Sequence, residues 1–164
     1  MTDFLGLLQR DHHDLECGLD ELLQAVTVSQ LRSALDGVRL GLTAHAEAED
    51  IVLYQALAKA GSSALLDDLI GEQRSAHLEQ EGALSLLVVT PPRSPQWRDR
   101  ARHLRKLVTA HANDEEQRVV PAIRRFAPAV YDSLAGLFAT ERLRQLAMLQ
   151  PSAPIFVPEL AQAS

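Results

Sequence analysis

The chain has 164 residues, of which 46% are apolar and 23% charged, and its formal net charge is −6. This length suits one domain with a sizeable core, and the composition is ordinary for a soluble globular protein. The acidic balance argues against nucleic acid or an anionic membrane surface as the main partner.

The cysteine count and the N-terminus indicate the compartment. Cys17 is the single cysteine, so no intrachain disulfide can form, which favours a reducing environment. The first apolar run follows Asp3 and is too short for a signal sequence, and no window approaches a transmembrane span. We therefore expect a cytoplasmic protein that does not enter a membrane.

Leu and Ala dominate the chain, and helix breakers divide it into five helical segments. We predict helices over residues 2–26, 29–60, 64–89, 95–126 and 129–150. Ser94 and Pro95 are typical of an N-cap and a first helical residue, and Pro121 predicts a kink near the end of the fourth helix. Short connections between long helices favour antiparallel neighbours. The predicted fold is all-α, an up-down-up-down four-helix bundle.

The predicted organisation has three parts. Residues 1–127 form the four-helix bundle, residues 128–150 form a C-terminal helix packed on the bundle, and residues 151–164 form an irregular tail that contains three prolines. The fifth helix and the tail are also the candidate contacts for a protein partner.

Apolar residues recur at alternating steps of three and four along each bundle helix, which marks the face that points to the core. Six ionisable residues occupy this seam: His12 on the first helix, His45 and Glu49 on the second, His77 on the third, and His111 and Glu115 on the fourth. At a rise of about 1.5 Å per residue in an antiparallel bundle, all six lie roughly 14–22 Å from the same end. The sequence thus predicts that they converge in one layer.

The seam also places other residues. The first helix is expected to bury Val26 at its end, and the second helix Val52 and Ala56. Cys17 flanks the seam and is expected to be a small buried residue.

Several polar residues fall outside the predicted ligand set. His13 and His103 are expected at the surface, and Glu81 is favoured as a solvated residue over an extra ligand. Tyr54 and Gln73 are expected to pack against the site or to hydrogen-bond with its ligands.

The segments "HAEAEDIVLYQAL", from His45, and "HANDEEQRVVPAI", from His111, resemble an internal repeat. Helices two and four would be diagonal in a simple bundle, so the layer would have a pseudo-twofold character. Imidazole and carboxylate in a bundle core suit iron, manganese or zinc. Six ligands exceed the need of one tetrahedral zinc, so two six-coordinate ions bridged by two glutamates fit better.

The ordered motifs resemble the hemerythrin-like, or HHE cation-binding, domain family. The residues that carry the resemblance are Asp11-His12, His45 with Glu49, His77, and His111 with Glu115, Glu116 and Pro121. The resemblance implies a four-helix bundle that holds an oxo- or hydroxo-bridged pair of iron ions. It also implies a role in carrying dioxygen, sensing oxygen or iron, or acting on peroxide or nitric oxide.

Two positions depart from the classical oxygen carriers of that family. The carriers have a second histidine one turn before the equivalent of His77, and here that position is Gln73, which puts reversible oxygen carriage in doubt. The carriers also take their last carboxylate from the equivalent of Glu116, whereas the seam favours Glu115.

Three classes of function follow. We favour a di-iron protein that binds or senses a small molecule (oxygen, nitric oxide or peroxide) or iron. The alternatives are a di-iron enzyme that reduces peroxide or nitric oxide, or donates iron in cluster repair, and a helical interaction protein whose site is empty or holds zinc.

Overall fold

The computed structural model describes residues 3–61 and 63–150; the predicted helix start at residue 2 and the predicted irregular tail, 151–164, lie outside this part of the chain. Within it, five helices follow one another without a strand, which confirms the all-α bundle. The first, third and fifth are α1 (Phe4–Gln24), α3 (Ala64–Val88) and α5 (Pro128–Leu149). None of the helices described has the length and apolarity needed to span a membrane.

The second and fourth helices are each interrupted by one π-helical turn. Helix α2 covers residues 28–60, as Val28–Glu49, the π turn Asp50–Tyr54, and Gln55–Ala60. Helix α4 covers residues 95–126, as Pro95–Asp114, the π turn Glu115–Val119, and Val120–Phe126. The π turn begins directly after Glu49 in α2 and at Glu115 in α4, and such turns are frequent at functional sites.

Side-chain caps set where the helices begin. Thr27 and Gln30 form a capping box, so α2 starts one residue earlier than predicted. Ser94 caps the backbone N–H of Trp97 with Pro95 at the first helical position, as the sequence predicts. The predicted burial of Val26 is wrong: α1 ends at Gln24, and Val26 is 68% exposed.

The π turns change which residues reach the core. In α2 the predicted seam residue Val52 is buried, whereas the predicted seam residue Ala56 is only partly buried. The most deeply buried side chains after Glu49 are those of Leu53, Tyr54 and Leu57. In α4 the buried residues Glu115, Val119 and Ile123 likewise follow one another in steps of four. A π turn holds an extra residue, so the inward face moves on by one position.

The irregular turn of α4 lies just before Pro121, where the sequence predicts a kink. The matching position in α2 is Gln55, and α2 forms the same π turn without a proline. A proline is therefore not required for a π turn at this position.

Two apolar clusters fill the bundle on either side of the predicted layer. One cluster joins the start of α1, the end of α2, the start of α3 and the end of α4 with α5. The other joins the end of α1, the start of α2, the end of α3 and the start of α4. If neighbouring helices run in opposite directions, the start of one helix lies beside the end of the next, as in both clusters. His12 lies between Leu8 of the first cluster and Leu15 of the second.

Helix α5 packs against α1 and α2. The Phe4 ring meets the rings of Tyr131 and Phe138 edge to face, at centroid distances of 6.2 and 5.7 Å. The Tyr131 hydroxyl donates a hydrogen bond to Asp3, the N-cap of α1. These contacts attach α5 to the end of the bundle where the first apolar cluster lies.

The predicted burial of Cys17 is wrong, since this residue is exposed. Cys17 follows the buried Leu15 by two positions, which is about 200° around a helix of 3.6 residues per turn. Its sulfur instead lies 3.6 Å from Nε2 of His13 on the outer face of α1.

Two glycines of α2 offer a matched test of helix packing. A Cβ at Gly37 would meet no atom within 4 Å, so Gly37→Ala should stabilise the protein, by about 0.5–1 kcal/mol from the higher helix propensity of alanine. A Cβ at Gly41 would lie 2.9 Å from Cδ2 of Leu15, so Gly41→Ala should gain less or destabilise. Thermal unfolding of the two variants measures the difference, and an equal gain at both positions would contradict the α1–α2 packing.

Candidate metal centre

All six predicted seam residues converge in the middle of the bundle. Five of them place ligand-type atoms within 4.8 Å of one another, and all five are buried: His12, His45, Glu49, His111 and Glu115. His77 completes the set at the edge, where its side chain is 11% exposed and its Nε2 lies 3.2 Å from Oε2 of Glu49. The four bundle helices therefore each contribute a histidine to one layer.

The four imidazoles form two close pairs. The His12 and His45 rings are 5.0 Å apart between centroids, and the His77 and His111 rings are 4.5 Å apart. The centroid distances measured between the two pairs are 6.1 Å. Two pairs of imidazoles, rather than a single ring of four, suggest two neighbouring ligand sets.

Each glutamate lies between the two imidazole pairs. Oε1 of Glu49 is 3.1 Å from Nε2 of His45, and Oε2 of the same carboxylate is 3.2 Å from Nε2 of His77. Oε2 of Glu115 is 3.2 Å from Nε2 of His12 and 3.7 Å from Nε2 of His111. Carboxylates in these positions can bridge two metal ions.

Apart from a contact of 3.1 Å between Nε2 of His77 and Nε2 of His111, the inward-facing atoms lack hydrogen bonds in spite of these short distances. Among the described residues, no hydrogen-bond partner reaches Nε2 of His12, Nε2 of His45, or either carboxylate oxygen of Glu49 and Glu115, all of them buried. Buried polar atoms are nearly always satisfied, and leaving them unpaired is costly. Bound metal ions shared by these atoms would satisfy all of them at once, so the donor set fits the metal that the sequence predicts.

The outward-facing nitrogens of two histidines are held by carboxylates. Nδ1 of His12 lies 2.8 Å from Glu116, which also accepts a hydrogen bond from Gln9. Nδ1 of His45 lies 2.8 Å from Asp11. A proton held on Nδ1 leaves the Nε2 lone pair free for a metal. Glu116 thus contacts the outer side of a histidine, while Glu115 faces the centre.

Gln73 and Tyr54 lie beside the centre. Gln73 is buried, and its amide nitrogen donates to Asp114 at 2.7 Å. The Tyr54 ring is 6.3 Å from the His77 ring, and its buried hydroxyl has no hydrogen-bond partner among the described residues. Tyr54 is therefore a free donor close to the site.

The surface predictions agree with the structure. His13, His103 and Glu81 are all exposed. Glu81 lines a groove of about 370 Å³ between α2 and α3, whose wall also includes His77, Glu47 and Leu42. This groove brings solvent to the edge of the centre, at the one seam histidine that is partly exposed.

Burial disfavours charge at the centre, and neighbouring groups decide where charge remains. Burial and the Glu115 carboxylate raise the pKa of Glu49 well above its usual value. Burial also opposes charge on Glu115, but the surrounding imidazoles outweigh it and lower its pKa to about 2. For His12, the carboxylates outweigh burial and raise the pKa to about 9. Burial lowers the pKa of His111 to about 3. In the metal-free centre, His12 is therefore protonated at neutral pH, and burial favours the protonated form of Glu49.

Sequence reasoning did not assign the residues behind the histidines. The sequence shows Asp11 only as part of a motif, and its position next to His12 is the available signal. Arg142, which binds Asp11 from α5, gave no signal because 131 positions separate the two residues. Only the packing of α5 brings them together.

The sequence profile of the hemerythrin HHE cation binding domain matches residues 3–123. The chain is also similar to a curated protein called DNA nickase, from Nostoc sp. (strain PCC 7120 / SAG 25.82 / UTEX 2576), with 29% identity over 118 residues. That alignment covers 72% of this chain and 32% of the relative, so the chain spans about a third of the relative's length. No solved structure matches the chain. Because the family profile covers most of the chain and all six converging residues, the chain belongs to the hemerythrin HHE cation binding domain family.

Proposed function

We propose that this protein holds two iron ions and uses them to bind or sense a small molecule. His12 and His45 would hold one ion, His77 and His111 the other, and Glu49 and Glu115 would bridge them. The observation that carries this proposal is the layer of buried donor atoms that lie close together without hydrogen bonds. Two iron ions so held would supply redox chemistry and open coordination positions.

The donor chemistry supports iron over the alternatives. Nitrogen and carboxylate ligands at two bridged six-coordinate positions suit iron or manganese, whereas a single zinc needs only four ligands. Zinc and manganese remain alternative occupants of the same residues.

The groove beside His77 supports a small ligand such as oxygen, nitric oxide or peroxide, and it would also admit iron itself. A binding or sensing role is favoured over an enzyme that reduces peroxide or nitric oxide or donates iron in cluster repair. A protein partner would contact α5 or the tail.

Nucleic acid is a second candidate partner, because the Nostoc relative is called a DNA nickase. The net charge of −6 argues against it, since a protein that binds nucleic acid needs a basic surface. A nicking assay on supercoiled plasmid, with His12→Ala as the metal-site control, tests this candidate. Nicking by the wild-type protein that His12→Ala abolishes would favour it.

Metal content tests the proposed centre directly. The protein purified after expression with ample iron should contain about two iron ions per chain, as expected for a dinuclear carboxylate site. His12→Ala should lose iron because it removes an inward donor, whereas His13→Ala should keep it because His13 is exposed on the same helix. Elemental analysis of the three proteins gives the answer. One ion per chain, or equal iron in both variants, would contradict the dinuclear arrangement.

The protons on the metal-free centre predict how metal binding depends on pH. Glu49 and His12 must release protons before their atoms can bind a metal, and the pKa of His12 is raised to about 9. Affinity for Zn²⁺, a redox-inert probe, should therefore rise between about pH 6 and about pH 8, by about tenfold per pH unit for each proton released. Competition with a chelating dye measures it, and a flat profile would contradict the assigned protonation.

The replacement of a histidine by Gln73 predicts irreversible reaction with oxygen. The reduced protein should consume oxygen without returning it under vacuum, because the His77–His111 side has one imidazole fewer than the classical carriers. An oxygen electrode followed by evacuation measures this. Gln73→His should make part of the uptake reversible and leave iron content unchanged. Reversible uptake by the wild-type protein would instead support an oxygen carrier.

A further inference from the structure

Helix α5 lies beyond residues 3–123, yet it is connected to the centre through Arg142. Nε of Arg142 donates to both carboxylate oxygens of Asp11, at 3.1 Å to Oδ1 and 2.8 Å to Oδ2. Oδ2 of Asp11 lies 2.8 Å from Nδ1 of His45, whose Nε2 is 3.1 Å from Glu49. Hydrogen bonds and a short inner contact thus run from α5 to the inward face of the site.

The same face of α5 encloses the His45 ring. Phe138 precedes Arg142 by one helical turn, and its ring meets the His45 ring edge to face at 6.1 Å. The side chains of Arg142 and Asp11 are 13% and 14% exposed, and that of His45 is 1% exposed. Helix α5 therefore constrains the His45 imidazole in two ways, directly through Phe138 and indirectly through the ion pair of Arg142 with Asp11.

The ion pair between Arg142 and Asp11 is better suited to orienting the Asp11 carboxylate than to stabilising the fold. A buried ion pair must offset the desolvation of both charges, and here Nη1 of Arg142 is buried without a hydrogen-bond partner among the described residues. What the guanidinium does provide is a charged, oriented Asp11 carboxylate. That carboxylate accepts the Nδ1 proton of His45 and so leaves the lone pair of Nε2 facing the centre.

His12 offers a contrast within the same site. Its Nδ1 is held by Glu116 of α4, which in turn accepts a hydrogen bond from Gln9 of α1. The corresponding support for His45 comes from α1 and α5, so one of the two histidines in this pair depends on a helix outside the matched domain.

We propose that Arg142 is a positioning residue of the centre: acting through Asp11, it fixes the tautomer and the orientation of His45. The inference rests on the proposed metal site for its functional consequence, while its effect on the His45 ring exists in the metal-free protein as well. Helix α5 is then a functional part of this domain rather than an appendage.

The test compares Arg142→Gln with Arg144→Gln in the full chain. Arg144 lies on the same helix in a half-exposed ion pair with Glu141, so its loss controls for removing a charge from α5. Nitrogen NMR of the metal-free protein reports the His45 tautomer, and dye competition reports Zn²⁺ affinity. Arg142→Gln should give a mixture of His45 tautomers and weaken Zn²⁺ binding by about 10–100-fold, the usual effect of losing such a partner. Arg144→Gln should change neither quantity.

A second set of variants tests the route through Asp11. In an Asp11→Asn background, Arg142→Gln should add little further loss of affinity, because its partner has already been altered. Arg142→Lys, which keeps the charge but loses the planar fork, should fall between wild type and Arg142→Gln, and it provides a measurement if Arg142→Gln does not fold.

Each other outcome overturns a distinct claim. Wild-type tautomer and wild-type affinity in Arg142→Gln would overturn the positioning role, and fully additive losses with Asp11→Asn would overturn the route. A lower unfolding temperature with unchanged tautomer and affinity would show a purely structural residue. A wild-type protein that binds neither Zn²⁺ nor iron would overturn the proposed function, while the His45 tautomer would still decide whether Arg142 acts through Asp11.

Discussion

Glu49 and Glu115 are fully enclosed in the bundle, and removing a carboxylate from water without compensation costs several kcal/mol. Four imidazoles surround them, but the close atoms do not form hydrogen bonds that would repay this desolvation. In the metal-free protein, the raised pKa of Glu49 favours its neutral form, and the raised pKa of His12 places a positive charge beside the Glu115 carboxylate, so that the net buried charge is small. The layer of buried histidines and glutamates therefore lowers the stability of the metal-free fold. The apolar clusters on either side of this layer must supply the stability of the fold.

The backbone is adapted to this layer. Both helices that carry a histidine and a glutamate one turn apart contain a π turn at that point, and only one of them has a proline nearby. Because a π turn advances the inward face by one residue, the glutamate can face the centre while Leu53, Leu57 and their counterparts in α4 still reach the apolar core. The internal repeat in the sequence thus corresponds to a repeat in backbone geometry.

The groove that leads to the site and the contacts that orient its histidines lie on different sides of the layer. The groove between α2 and α3 reaches His77, the most exposed of the four seam histidines. On the side of α1 and α2, helix α5 covers the bundle and holds His45 through Asp11 and Arg142. This division suits a small-ligand site, in which one edge must stay open while the remaining ligands stay oriented.

Local periodicity was enough to predict the helices and the six converging residues, because steps of three and four define one face of a helix whatever it packs against. The same reasoning failed at Ala56 and Cys17, where a π turn or the angular position on the helix overrode the simple pattern. Short loops and four seams also predicted that the six residues share a level. Tertiary structure alone decided the pairing of the imidazoles, the groove at His77 and the contact of Arg142 with Asp11, because each depends on how separate helices approach one another, and sequence periodicity carries no information on that distance.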